Sequence, residues 1–190
     1  SMWLLHGLPL ALLARIGAAF GLLLYLLAAE RRRVCLTNLA RCLPQLDEPA
    51  RRALARAHFR MLARGILERG ILWWSPRARI ECLVRVTGRE HLQALAGQPV
   101  ILFTPHFIGL DAAFARLACE FDMAALYANQ KNALFNRIMK AGRTRFGRQQ
   151  LFSRQEGVRQ AMKALRAGTP FYYLPDMDYG PRDAVFVPFF

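Results

Sequence analysis

From residue 80 onward, short apolar runs of strand type alternate with stretches of helical periodicity, and this alternation limits the possible folds more than any other feature. Residues 80–87 (IECLVRVT) alternate apolar and polar and stop at Gly88. Residues 90–96 suit a short helix. Residues 99–104 (PVILFT) form an apolar run of the buried-strand type. A helix with Ala112, Ala113 and Leu117 on its apolar side follows, then a strand over 123–128 (MAALYA). Asn132 caps a helix carrying Leu134, Phe135, Ile138 and Met139. Over 156–167, Val158, Ala161, Met162 and Leu165 face one way and Arg159, Lys163 and Arg166 another, and Gly168 ends the helix. Residues 171–174 read as a strand, and 184–190 (AVFVPFF) contain another. This order predicts an α/β fold with a central, mostly parallel sheet flanked by helices. The 190 residues suffice for one such domain with a real core.

The first part of the chain obeys a different pattern. Residues 3–29 are almost wholly apolar, broken by His6, Pro9 and Arg15. The unbroken part, 16–29, is shorter than the roughly 20 residues of a clean span. With Arg15 snorkelling, the stretch can cross a bilayer or lie in it. Arg31, Arg32 and Arg33 follow the apolar run, which is the wrong order for a signal peptide and keeps the rest of the chain on the cytoplasmic side. Residues 1–33 are therefore expected to be a membrane-associated segment and 34–190 the folded domain. Asp47, Glu48 and Pro49 then start a helix, with Leu54, Ala57, Met61 and Gly65 as its apolar face and Arg51, Arg52, Arg56, Arg60 and Arg64 elsewhere. Trp73 and Trp74 fit a membrane interface or a core equally well.

Lys and Arg number 27 against 13 Asp and Glu, a formal charge of +14. Such a balance attracts nucleic acid, anionic headgroups or an acidic protein, and most of it is arginine, whose planar fork suits phosphate. Nucleic-acid binding leaves the apolar amino terminus unexplained and is not expected. Cys35, Cys42, Cys82 and Cys119 form no CxxC pair and no metal spacing. They read as small buried hydrophobes.

Three groups of residues could carry chemistry. The first is PHFIGLD, 105–111, directly after the PVILFT strand, where open α/β sheets place their sites. His106 and Asp111 are five residues apart, about 140° on an ideal helix, so they meet only if His106 stays in the loop and Asp111 opens the helix. A carboxylate on one imidazole nitrogen sets the tautomer that lets the other take a proton from a hydroxyl. The second is LPDMDYGP, 174–181, where Asp176 and Asp178 sit on a turn; they could bind metal, orient a basic partner, or satisfy turn amides. The third is a cluster of Arg137, Arg143, Arg145, Arg148 and Arg154 with Lys131 and Lys140, either a solvated face or a phosphate grip. No nucleophile elbow, Walker loop, dinucleotide fingerprint or HExxH is present, which favours direct transfer without a covalent intermediate.

Taken together, these pieces resemble the late acyltransferases of lipid A biosynthesis, a branch of the glycerolipid acyltransferase superfamily. The matching features run in order: the apolar segment and its Arg-rich exit, NLARCLP (38–44), GREHL (88–92), the H-x4-acid motif at His106 and Asp111, YANQKNALFNRIMKAGR (127–143), LFSR (151–154) and PDMDYGPRDAVFVPFF (175–190). The resemblance implies acyl carrier protein as donor, a Kdo-bearing lipid A precursor as acceptor, the cytoplasmic face of the bacterial inner membrane as location, and no metal or other cofactor. It implies His106 as base, Asp111 as its orienting acid, and Arg154 and Asp176 as substrate binders or site organisers, with Arg143 and Asp178 beside them. Relatives often carry Asn-Trp-Glu where this chain has Gly109, Leu110 and Asp111. They also continue past the PFF, so the carboxy-terminal part of the domain is expected to be missing. The rival reading is a metal-dependent glycosyltransferase with Asp176 and Asp178 as a DxD pair holding Mg or Mn.

Overall fold

The computed structural model describes residues 2–176. A short 3-10 turn (Met2–Gly7) leads into α1 (Leu10–Leu27), which bends at Ala28 into α2 (Ala29–Cys42). The long α3 (Glu48–Trp74) starts as its sequence demands: the Asp47 carboxylate accepts from the Ala50 amide at 2.8 Å, and Pro49 sits in the first turn.

α1 lies along α3 on a line of small residues. Leu13, Gly17, Gly21 and Tyr25 recur every four residues and are buried. A Cβ on Gly17 would stand 2.6 Å from the Arg64 Cα, and one on Gly21 2.4 Å from the Phe59 carbonyl oxygen. Only glycine permits that approach. Tyr25 meets Phe59 edge-on at 5.5 Å, a contact worth about 0.5–1.5 kcal/mol beyond its buried area. The buried face of α3 is accordingly Ala55, Phe59 and Ala63, not the expected one: Leu54 and Met61 are exposed, as is Ala57. Close backbone approach through small side chains selected this face over the bulkier alternative.

Past α3 the chain forms α4 (Arg77–Leu83) and α5 (Arg89–Ala94). The strand expected at 80–87 is instead a helix over its first half, 80–83, and no strand forms over 84–87. Pro76 starts the helix, the Arg77–Glu81 pair at 2.8 Å spans one turn, and Ile80 is fully buried in the core. Burial of Ile80 alone is satisfied by a helix, and Cys82, which a half-buried strand would have turned inward, is exposed.

The remaining elements are β1 (Ile101–Phe103), α6 (Leu110–Leu117), β2 (Ala124–Tyr127), α7 (Ala133–Arg143), β3 (Gln150–Ser153), a 3-10 turn (Arg154–Glu156), α8 (Arg159–Arg166) and β4 (Phe171–Tyr173). The four strands make one parallel sheet in the order β1-β4-β2-β3. The α/β architecture with a parallel sheet flanked by helices, and an apolar helix at the amino-terminal end, is therefore the observed one. β2 and β4 are central and buried. β1 was expected to be a buried strand; among the described residues it is an edge, with Ile101 53% and Phe103 61% exposed. Asn132 caps α7 through the Phe135 amide at 2.9 Å. The strand expected within 184–190 lies outside the described residues.

One core cluster joins Leu13 of α1 to Ile71 and Trp73 of α3, Ile80, Tyr127 and Met139. Trp73 is 5% exposed and its ring lies 6.0 Å from that of Phe135, so of the two readings of the Trp73–Trp74 pair, core packing holds for Trp73.

Candidate active site

Parallel neighbours end on the same side, so the loops after β1 and β4 emerge together. The Thr104 amide donates to the Tyr173 carbonyl at 2.9 Å, one step beyond the β1–β4 ladder, and keeps the two segments side by side. His106 follows on the first loop and Asp176 on the second. Asp176 engages His106 with both carboxylate oxygens: Oδ2 accepts from the His106 amide at 2.7 Å, and Oδ1 lies 2.7 Å from the ring Nδ1. These two bonds, the backbone one first, hold the Asp176 carboxyl below the usual carboxylate range.

Asp111 does not reach His106. It opens α6, where a carboxylate favours the helix dipole, and it turns to the helices packed on the sheet. Its Oδ2 accepts from Arg69 Nε of α3 at 2.8 Å, and its Oδ1 from Arg143 of α7, at 2.6 Å from Nη2 and 3.2 Å from Nε. Burial pushes this carboxyl up, but the charges and hydrogen bonds of Arg143 and Arg69 outweigh that and hold it below its ordinary value. The expected His106–Asp111 pair is thus replaced by two arrangements, His106–Asp176 and Arg69–Asp111–Arg143. The physical reason is strand order: β4 inserts beside β1 and delivers a closer acid to Nδ1.

His106 of the first arrangement and all three residues of the second line a cavity of about 360 Å3, which falls toward the lower end of the range for small-molecule sites. Its apolar wall includes Leu110, Phe114, Phe135, Met139 and Leu151, and Arg154 stands at it from the turn after β3. Tyr172, also in the wall, donates to the Leu110 carbonyl at 3.1 Å, and burial pushes its phenol up to about 12. The arginine cluster expected from the sequence divides here. Arg143 is tied to Asp111, Arg145 stacks over Phe146 at 4.5 Å and reaches the Leu72 carbonyl at 3.4 Å, and Arg148 is exposed. Asp178 lies outside the described residues.

Sequence reasoning missed Arg69. Its signal was local: a lone arginine directly before the apolar run Gly70, Ile71, Leu72, Trp73, where a merely solvated charge is out of place. Among the described residues no three His, Cys, Asp or Glu side chains are grouped to hold a metal ion, and Asp176, half of the presumed DxD pair, commits both oxygens to His106.

Comparison with known proteins places the chain in a family. The chain is 30% identical over 191 residues to the lipid A biosynthesis lauroyltransferase of Escherichia coli K12, covering 100% of this chain and 62% of that protein. It is 30% identical over 185 residues to a lipid A biosynthesis acyltransferase of Haemophilus influenzae, covering 96% and 59%. It is 31% identical over 182 residues to the E. coli K12 lipid A biosynthesis myristoyltransferase, covering 94% and 55%. The chain therefore spans about three-fifths of the length of these relatives. The profile of the bacterial lipid A biosynthesis acyltransferases matches residues 1–190, the whole chain, and the chain belongs to that family.

Proposed function

We propose that this chain carries the reaction centre of an acyltransferase that moves a fatty acyl group from an acyl carrier protein thioester to a hydroxyl of a Kdo-bearing lipid A precursor, at the cytoplasmic face of the inner membrane. The observation that carries the proposal is His106, bonded twice by Asp176 and itself at the wall of a largely apolar cavity with arginines beside it. An ionised Asp176 on Nδ1 requires a proton there, so Nε2 is the nitrogen that accepts one. In the reaction, Nε2 takes the proton of the acceptor hydroxyl while its oxygen attacks the thioester carbonyl. The C–O bond forms, the C–S bond breaks, and the leaving thiolate recovers the proton from the imidazolium. Asp176 supports that cation. Asp111 holds Arg69 and Arg143 at the cavity wall, where their remaining N–H groups suit the phosphates of the acceptor or the developing oxyanion.

Support for an acidic, phosphorylated pair of substrates comes from the formal charge of +14. Membrane association is supported by α1, the one helix among the described residues long and apolar enough to cross a bilayer, with a mean hydropathy of 2.1 over Leu10–Leu27. The test is to incubate membranes containing the chain with acyl carrier proteins bearing different acyl groups and a lipid A precursor, and to weigh the product. Gain of one acyl mass, lost in His106→Ala, supports the reading; full turnover by His106→Ala refutes it.

A further inference from the structure

The apolar helix α1 has two geometries open to it at a bilayer, across or along. We infer that it lies along the membrane surface, with its outward stripe among the acyl chains and the arginines of α3 at the phosphate layer of anionic lipid. This rests on the membrane-associated reading above and adds an orientation to it.

The observation is what α1 is fastened to. Gly17 and Gly21 bracket the midpoint of Leu10–Leu27, and both are packed against α3. A Cβ on Gly17 would sit 2.6 Å from the Arg64 Cα, and one on Gly21 2.5 Å from the Arg60 Cα. If α1 crossed the bilayer, its midpoint would lie at the bilayer centre and carry Arg60 and Arg64 with it. Arg56, one turn further on, would also lie within the hydrocarbon, together with Glu68, the ion-pair partner of Arg64 on α3. Lipid-exposed charges at that depth are rare and costly. The next residue on α3, Gly65, makes the case sharper. A Cβ there would lie 3.1 Å from the Ile108 side chain, two residues from His106. A crossing α1 would therefore sink the His106 loop to mid-bilayer, away from any water-soluble acyl donor.

Lying flat removes each conflict. Leu12, Ile16, Phe20, Leu23 and Leu27, spaced at helical intervals away from the buried line, are all exposed, as one face of a surface helix requires. Arg56 and Arg60 are exposed too, Arg60 beside Gly21 and Arg56 one turn along α3, so apolar insertion and attraction to anionic headgroups act together. Phe107, 72% exposed, and Ile108 then bring the loop of His106 to the same interface.

The experiment reads topology, not activity, so an inactive chain leaves it intact and its failure leaves the acyltransfer reading standing. A cysteine on a short Gly-Ser extension ahead of Ser1 and the native, exposed Cys42 are labelled with a membrane-impermeant maleimide in sealed inner-membrane vesicles of known orientation, and the labelled peptides are identified by mass. Labelling of both from the same face is expected. Labelling from opposite faces overturns the inference. In a second measurement, Arg56→Glu with Arg60→Glu should lower binding to phosphatidylglycerol-containing vesicles by about fivefold or more, and leave binding to purely zwitterionic vesicles within about twofold of the parent chain. Equal binding of parent and variant to the anionic vesicles overturns the headgroup role of these arginines, and a chain that floats with neither vesicle overturns the whole assignment.

Discussion

His106 and Asp176 stand 70 positions apart in the chain and are joined twice, once through the ring and once through the backbone amide, each at 2.7 Å. The double contact makes Asp176 both an orienting acid and a clamp on the loop. Asp176→Asn keeps an oxygen for one bond but loses the charge that supports a ring cation. Turnover should fall by about 10² to 10⁴, the usual span for lost acid–base help, with little change in KM. His106→Ala should fall within the same span, and the double variant should be no worse than the poorer single one. Steady-state kinetics of the three variants checks this; independent, additive losses would separate the two residues.

Asp111 should behave as a structural acid first. Replacing it by Asn leaves Arg69 and Arg143 facing each other, half-buried and without their counter-charge. The loss should be about 1–3 kcal/mol, between an exposed pair and a fully buried one. Urea unfolding of the parent and of Asp111→Asn at pH 7 measures it.

The same pair sets an acid limit. The folded Asp111 carboxyl lies below its ordinary value of 3.8, so its contribution to stability is complete above that value and is lost as pH falls through the lower, folded one. In an unfolding series down to pH 3 and below, the difference between parent and Asp111→Asn should shrink. A difference constant with pH would show that charge is not what the residue supplies.

At the alkaline end Tyr172 acts in the opposite sense. Its folded phenol is raised to about 12, so stability it contributes is complete below the ordinary 10 and is lost as pH rises toward 12. Tyr172→Phe should cost about 1 kcal/mol at neutral pH for the lost bond to Leu110 and flatten the decline above pH 10. Ultraviolet titration should show one tyrosine fewer ionising last.

Gly21→Ala tests the helix pair. The added Cβ meets the Phe59 carbonyl oxygen at 2.4 Å and the Arg60 Cα at 2.5 Å, both backbone. Overpacking should cost about 1–3 kcal/mol and open α1 and α2 to limited proteolysis before the sheet. Unchanged cleavage order would mean that α1 is held elsewhere.

Much of this was legible along the chain because its causes are local. Asp47 and Asn132 cap the helices they precede, the apolar runs at 101–103, 124–127 and 171–173 are strands, and His106 follows the first of them. Those signals need only neighbours within a turn or a pleat. What tertiary structure decided is everything that depends on which distant segment arrives. Strand order brought Asp176 to His106 and left Asp111 to Arg69 and Arg143, 42 and 32 positions away. Burial of Ile80 made a helix of an alternating stretch, and two glycines chose the face on which α1 meets α3. Residue type and period determine what an element can be; the partner of a buried charge is settled only when the backbone has brought the candidates within hydrogen-bond reach and the nearest one takes the bond.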